Sequence, residues 1–394
     1  MQSYKKIWQE TSKTPWCVLL TTGRVGSDFF QSLLDSHPEI YVFNGVLKIN
    51  DFWAKAYTTK IENKYIVEDI INEFVGHYIV KFKSYYDLEE RKNELGKNRD
   101  EFIDINIEQY KIHLKKILEL EPITTKSFLR AVYLAWALVL GQDLSRKKLF
   151  FHHLHHIWDL DTYLKDFPNS KIIAMTRDPR AAYVSGVENW NKYSKLSKNP
   201  SHNYFVLNRT IEDASYLETL DKDYRVLKLE DLGQKKILEN FCSWAGVSFN
   251  KSMLHATWNG LRWWGDKLST SKIKEKETGF SPSIIKNKWE EKLGIIEKVS
   301  LNFLLYNRLK WYGYKCENKS NFLYFLPMLF FIIVPTKYEW QYISPKNLYF
   351  LLKEKKIRLI FTSFYYYSKR VLLFYKLLLL KIKNKKFELV YFKN

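Results

Sequence analysis

Leu19-Leu20-Thr21-Thr22-Gly23-Arg24-Val25-Gly26-Ser27-Asp28-Phe29-Phe30 decides how this chain is laid out. An apolar strand runs into a glycine turn, and a helix starts near Ser27. Gly23 and Gly26 permit a tight turn that brings several backbone N–H groups to bear on one point. The helix start adds N–H donors without intrahelical partners and the positive end of the helix dipole. Arg24 sits on the turn as a fixed cation able to grip a phosphate or sulfate with two parallel hydrogen bonds. The stretch thus reads as an anion site carried on a strand–helix unit. No Gly-Lys-Ser/Thr follows at the spacing of triphosphate-binding loops, which disfavours a nucleoside triphosphatase. Read blandly, the same residues are an ordinary capped turn.

A second stretch repeats the pattern. Lys171-Ile172-Ile173-Ala174-Met175-Thr176-Arg177-Asp178-Pro179-Arg180-Ala181-Ala182-Tyr183-Val184-Ser185 is again a strand breaking into a helix. Arg177 ends the strand, Pro179 suits the first helical turn, and Ser185 lies eight residues after Arg177. That spacing sets the serine hydroxyl two turns along a helix, beside a phosphate held by the arginine. An exposed helix start with surface charges is the plainer alternative.

Strand-like runs alternate with helical patterns around both stretches, and 394 residues with 46% hydrophobic content can bury a large core. The alternation predicts an α/β fold with a mostly parallel sheet flanked by helices. Such sheets take ligands at the carboxyl ends of their strands, where both stretches fall. Residues 47–146 show long helical patterns without strand signals, so a helical insertion shaping an acceptor cleft is expected there. No internal repeat is visible.

Together the two stretches resemble the two signatures of the sulfotransferase family, which bind the sulfate donor 3′-phosphoadenosine-5′-phosphosulfate (PAPS). The Arg177-Asp178-Pro179-Arg180 wording is similar to the carbohydrate-modifying branch, in a bacterial-like form. Other passages match in order: Ser32 to Ile40, Phe167 to Ser170, Tyr224 to Leu232, Trp263 to Asp266, Lys288-Trp289, and Tyr312 to Tyr314. The resemblance implies a P-loop-like sulfotransferase domain over residues 1–318 that needs no metal. Thr22, Gly23, Arg24, Val25, Gly26, Ser27 and Asp28 would form the loop at the 5′-phosphosulfate, with Arg24 stabilising charge on the leaving phosphate. Arg177 and Ser185 would hold the 3′-phosphate. Asp28 departs from the family, in which a second Ser or Thr is common at that place. An acid beside a phosphate is unfavourable unless it turns away or caps the helix.

The general base is less directly marked. Many members carry a glutamate near the place where this chain reads Phe43-Asn44-Gly45, and it is missing here. Other members carry Lys-x-His about two dozen residues before the 3′-phosphate arginine. At the matching distance stand His153 and His155, inside Phe151-His152-His153-Leu154-His155-His156. On a strand His153 and His155 share one face, and His152 and His156 the other. His155, 22 residues before Arg177, is the first candidate and His153 the second. Burial in the core and metal binding through neighbouring imidazoles are the competing readings of the cluster.

Three widely spaced cysteines, Cys17, Cys242 and Cys316, form neither a disulfide framework nor a metal pattern. Met1 to Trp16 holds no apolar run, so a cytoplasmic enzyme is expected. Residues 319–394 read as a basic, aromatic carboxyl-terminal extension. From Lys337 onward there are 14 Lys or Arg against 3 acids, a net +11 of the chain's +20. Before them, Ser320 to Thr336 is uncharged but carries Pro327 and Pro335, too short and broken for a bilayer span. The expectation is a peripheral segment on the inner face of an anionic membrane, with packing against the enzyme's own body as the alternative. The leucine runs argue against nucleic acid, since they would be costly to leave in water. The sequence thus points to a PAPS-dependent sulfotransferase acting on a hydroxyl of a saccharide, with a membrane-proximal or lipid-linked glycan as the expected acceptor. A small or lipid alcohol is the second candidate acceptor, and a non-catalytic membrane-associated relative the third reading.

Overall fold

The computed structural model describes residues 2–21, 23–56, 67–84, 91–192, 199–213, 215–267, 289–316, 325–382 and 390–392. Thr22 and Lys288 of the stretches above lie outside the described residues. Eight strands are present among those described: β1 (Trp16–Leu20), β2 (Ile40–Val42), β3 (Asn93–Leu95), β4 (Leu149–Leu154), β5 (Lys171–Thr176), β6 (Tyr224–Lys228), β7 (Thr257–Trp258) and β8 (Leu261–Asp266). Five form one sheet in the order β2-β4-β1-β5-β6, with every neighbouring pair parallel. The chain is therefore α/β, as expected.

The strands are apolar throughout because both faces of a parallel sheet are covered. All five residues of β1 are buried. Alternation along each strand divides them between two cores. Trp16, Val18 and Leu20 join Phe150 and Ile172 on one side, whereas Cys17 and Leu19 join Phe151 and Ile173 on the other. The second core is closed by the Ser27–Leu34 and Lys235–Ala245 helices through residues such as Phe30 and Phe241. On the first, Trp16 stacks on Phe150 with ring centroids 4.4 Å apart.

Residues 47–146 contain the expected helices, including Ile49–Ala56, Val67–His77, Ile107–Leu118 and Thr125–Val139. Two features differ from the sequence reading. The Thr125–Val139 helix is a layer of the main core, where Tyr133 Oη donates to the carbonyl of Phe151 at 2.8 Å. The region also contributes β3, which pairs antiparallel with β8, while β7 completes a small second sheet. Asn93-Glu94-Leu95 is too short and polar to show a strand period. Its place is fixed from outside, by Trp263 Nε1 donating to Asn93 Oδ1 at 3.0 Å and by the buried Arg91–Asp266 ion pair at 2.9 Å.

A third core joins the carboxyl-terminal extension to the body. Ala181, Tyr183 and Val184 of the Pro179–Trp190 helix and Leu207 of the Pro200–Asp213 helix pack with Phe374, Leu377 and Leu378 of the final helix, Ile357–Ile382. Arg370 is buried in the same region, ion-paired to Glu339 at 2.7 Å. Residues 390–392 return to the main sheet: Val226 N–H donates to the Val390 carbonyl at 2.7 Å, and Phe392 packs on Phe241 and Trp244. One face of the extension is thus built into the body. Among the described residues no helix is long and apolar enough to cross a membrane.

Candidate functional site

Strand order places β1 at the middle of the main sheet, with its successors β2 and β4 on one side and β5 and β6 on the other. Parallel strands all end at the same edge, and a crevice opens where the order reverses. Here four strand ends meet around one cleft of about 560 Å³. The Gly23–Phe29 segment follows β1, His155 follows β4, Arg177 follows β5, and Leu229 follows β6.

The first turn has the backbone its glycines foretold. Gly23, Arg24 and Gly26 all take positive φ, at 118°, 60° and 90°. A Cβ on Gly26 would overlap the Leu229 side chain, so only glycine fits that position. A Cβ on Gly23 would lie 3.4 Å from His155 Cε1, which brings that imidazole directly over the turn. Phe30 N–H bonds back to the Gly26 carbonyl at 3.0 Å, starting the Ser27–Leu34 helix with its amino end at the cleft. Val25 is buried in the core beneath the turn. Ser27 and Asp28 occupy the first helical turn and both line the cleft.

The two stretches touch. Arg24 Nη2 donates to Ser185 Oγ at 3.1 Å across 161 residues of sequence, and Arg177 Nη1 donates to the Arg24 carbonyl at 3.4 Å. Arg24 therefore reaches the serine that the family resemblance sets at the other end of the donor. Burial lowers the pKa of Arg177; Glu230 opposes that shift and the Arg24 guanidinium adds to it. Glu230 also accepts from the Asp178 N–H at 3.1 Å and from Tyr314 Oη at 3.0 Å. It thereby anchors the Arg177-Asp178 turn from behind. The glutamate and tyrosine belong to passages already matched in sequence, but nothing in their spacing showed that they meet.

Arg180 does not face the cleft. It is fully buried, bonded to Asp178 at 2.7 Å and to Asn302 Oδ1 at 2.7 Å, and it lies over the Trp289 ring. Of the two candidate bases, His155 lines the cleft, whereas His153 is 1% exposed, buried behind it with ring centroids 5.6 Å apart. Burial, aided by His156, Arg209, Lys48 and Lys81, pushes the His155 pKa down to about 3. His152 is held by Tyr133, whose hydroxyl lies 3.1 Å from its Nδ1, and burial takes it down to about 3 as well. The imidazoles do not gather around one point. A different group, Asp51, His156 and Asp159, brings three metal-capable atoms within 4.8 Å of one another, with the positive charge of Lys48 acting on both His156 and Asp159.

The cleft is strongly positive. Arg24, Lys48, Lys81, Arg91, Arg177 and Arg209 line it against Asp28 and Asp266, and Arg91 is neutralised by Asp266. Lys48, Lys81 and Arg209 were not foreseen. They come from the helical region and from the Pro200–Asp213 helix, and no local pattern distinguishes them from surface cations.

No family model matches this chain, and no curated protein does. Among solved structures it is similar to the sulfotransferase domain from the Synechococcus PCC 7002 olefin synthase, with 17% identity, a TM-score of 0.36, and coverage of 70% of this chain and 87% of that one. It is also similar to the sulfotransferase domain from the curacin biosynthetic pathway, with 15% identity, a TM-score of 0.35, and coverage of 79% and 95%.

Proposed function

We propose that the cleft binds PAPS and transfers its sulfuryl group to a hydroxyl of a saccharide acceptor. One observation carries the reading: Arg24 and Arg177 line one cleft at the amino ends of two helices, with the Arg177 guanidinium donating to the Arg24 main-chain carbonyl. The Arg24 charge adds to the lowering of the Arg177 pKa, so the two cations act on each other, and an anion bound in the cleft would relieve that. Helix amino termini and a positive-φ turn supply the N–H donors for that anion. Two such units facing one cleft suit a ligand with phosphates at both ends.

In this reading Arg177 and Ser185 hold the 3′-phosphate, and Arg24 exchanges Ser185 for the 5′-phosphosulfate as the donor enters. Gly23, Arg24, Gly26, Ser27 and Asp28 line the sulfate end above the buried Val25, with Thr22 assigned there by the family resemblance alone. The sulfur–oxygen bond to the bridging phosphate oxygen breaks as the acceptor oxygen bonds to sulfur. The acceptor proton passes to an imidazole nitrogen of His155, and 3′-phosphoadenosine-5′-phosphate leaves. Catalysis is then chiefly positioning and charge stabilisation. Burial and the neighbouring cations keep the His155 ring neutral and lower its proton affinity, and the negative charge of a bound donor would offset the cations' part of that. Lys48, Lys81, Arg209 and the helical region form the acceptor side.

Calorimetry with 3′-phosphoadenosine-5′-phosphate on the wild type and on Arg177→Ala tests the donor site. The wild type should bind, and the variant should bind about ten- to a hundredfold more weakly, as a lost charge-assisted phosphate contact predicts. Absence of binding by folded wild type refutes the proposal. Binding without turnover of PAPS on any saccharide or lipid alcohol would instead identify a non-catalytic relative.

A further inference from the structure

We infer that the outward face of the carboxyl-terminal helices docks on an anionic lipid surface. Sixteen of the twenty-one exposed large apolar side chains among the described residues lie from Leu326 onward. They are not scattered. Along the 26-residue helix Ile357–Ile382, the buried face is marked by Ser363, Arg370, Phe374 and Leu377. Ile357, Phe361, Leu372 and Leu379 recur on the opposite face at helical spacing, with exposures of 54%, 72%, 68% and 63%. A helix that only covered the body would carry polar residues there.

Charge names the occupant. Arg358, Lys369 and Lys376 fall at spacings of eleven and seven, so they form one row along the edge of the apolar stripe. Residues 325–382 hold ten Lys or Arg against two glutamates, and Glu339 is taken up by Arg370. An apolar stripe edged by a basic row is the geometry of a helix lying in the headgroup plane. Aromatic side chains such as Tyr349, 71% exposed, suit that depth. A second copy of this chain on the same stripe would set the basic row against its own kind. Lipid phosphates neutralise it.

The surface also stands beside the cleft. The Pro200–Asp213 helix gives Val206, Arg209 and Thr210 to the cleft and sets Tyr204 and Phe205 against Tyr366 of the final helix. Docking would therefore hold the acceptor side one helix away from the bilayer. The inference rests on the tail's own surface and stands whether or not the cleft takes a sulfate donor.

Co-sedimentation of the full-length protein with vesicles tests it. Vesicles of phosphatidylcholine mixed with phosphatidylglycerol should bind about tenfold or more tightly than phosphatidylcholine alone, and salt should weaken that binding. Lys369→Glu with Lys376→Glu should remove the preference, and Phe361→Ser with Leu372→Ser should abolish binding, both with an unchanged melting temperature. No vesicle binding by folded wild type, or equal binding to both vesicle types, overturns the inference. So does a dimer seen by light scattering that Phe361→Ser with Leu372→Ser dissociates, because a second copy would then cover the stripe.

Discussion

At the residue scale the proposed chemistry turns on His155 and Asp28. His155→Ala should lower turnover a hundredfold or more while leaving affinity for 3′-phosphoadenosine-5′-phosphate nearly unchanged, because the imidazole is assigned a proton and no phosphate. Near-normal turnover would remove it as the base. Asp28 places a carboxylate in a helix's first turn at the cleft, where it competes with an incoming anion for the same dipole. Asp28→Ser should tighten that affinity severalfold by calorimetry. Acidity adds a further test. His152 and His155 are both held down to about 3, so below the ordinary histidine value of 6.5 the unfolded chain binds protons that the folded chain refuses. Stability then rises with pH across that window and is lost as pH falls from about 6.5 toward 3. The slope should reach about 1.4 kcal/mol per pH unit for each histidine. Denaturant unfolding at stepped pH measures it, and His152→Gln should make the dependence shallower.

At the element scale, the turn after β1 has little freedom. Gly26 has φ of 90° and Leu229 fills the space where a side chain would begin. Gly26→Ala should therefore displace the loop and the β6 end together, weakening donor binding well beyond the effect of the same change on the surface. The second turn depends on Glu230, which joins the Asp178 N–H to Tyr314. Both turns were legible from the order strand, glycine or proline, helix, since those constraints are local. Strand β3 was not, because three residues have too little period to register and are set in place by Trp263 and Asp266 far along the chain.

At the scale of the whole molecule, the final helix has one face in the third core and one in solvent. Phe374 is 1% exposed and Leu372 is 68% exposed, two residues apart. Phe374→Ala should cost about 3–5 kcal/mol in denaturant unfolding, whereas Leu372→Ala should stay within about 0.5 kcal/mol. Equal costs would mean that the helix is seated differently. The sequence expectation offered membrane contact and packing on the body as alternatives. A helix apolar on opposite faces accommodates packing on one face and leaves the other exposed.

The sequence by itself determined the α/β class, the two strand–turn–helix units and their residues Arg24, Arg177 and Ser185, because strand period, glycine and proline act within a few residues. Tertiary structure decided what those units meet. It set His155 over Gly23 and buried His153 behind it, joined Arg24 to Ser185, and brought Lys48, Lys81 and Arg209 from distant helices to the same cleft. The physical reason is range. Backbone preference is local, whereas the convergence of like charges and which of two histidines reaches the cleft depend on which elements pack together, and that follows from burial of the cores as a whole.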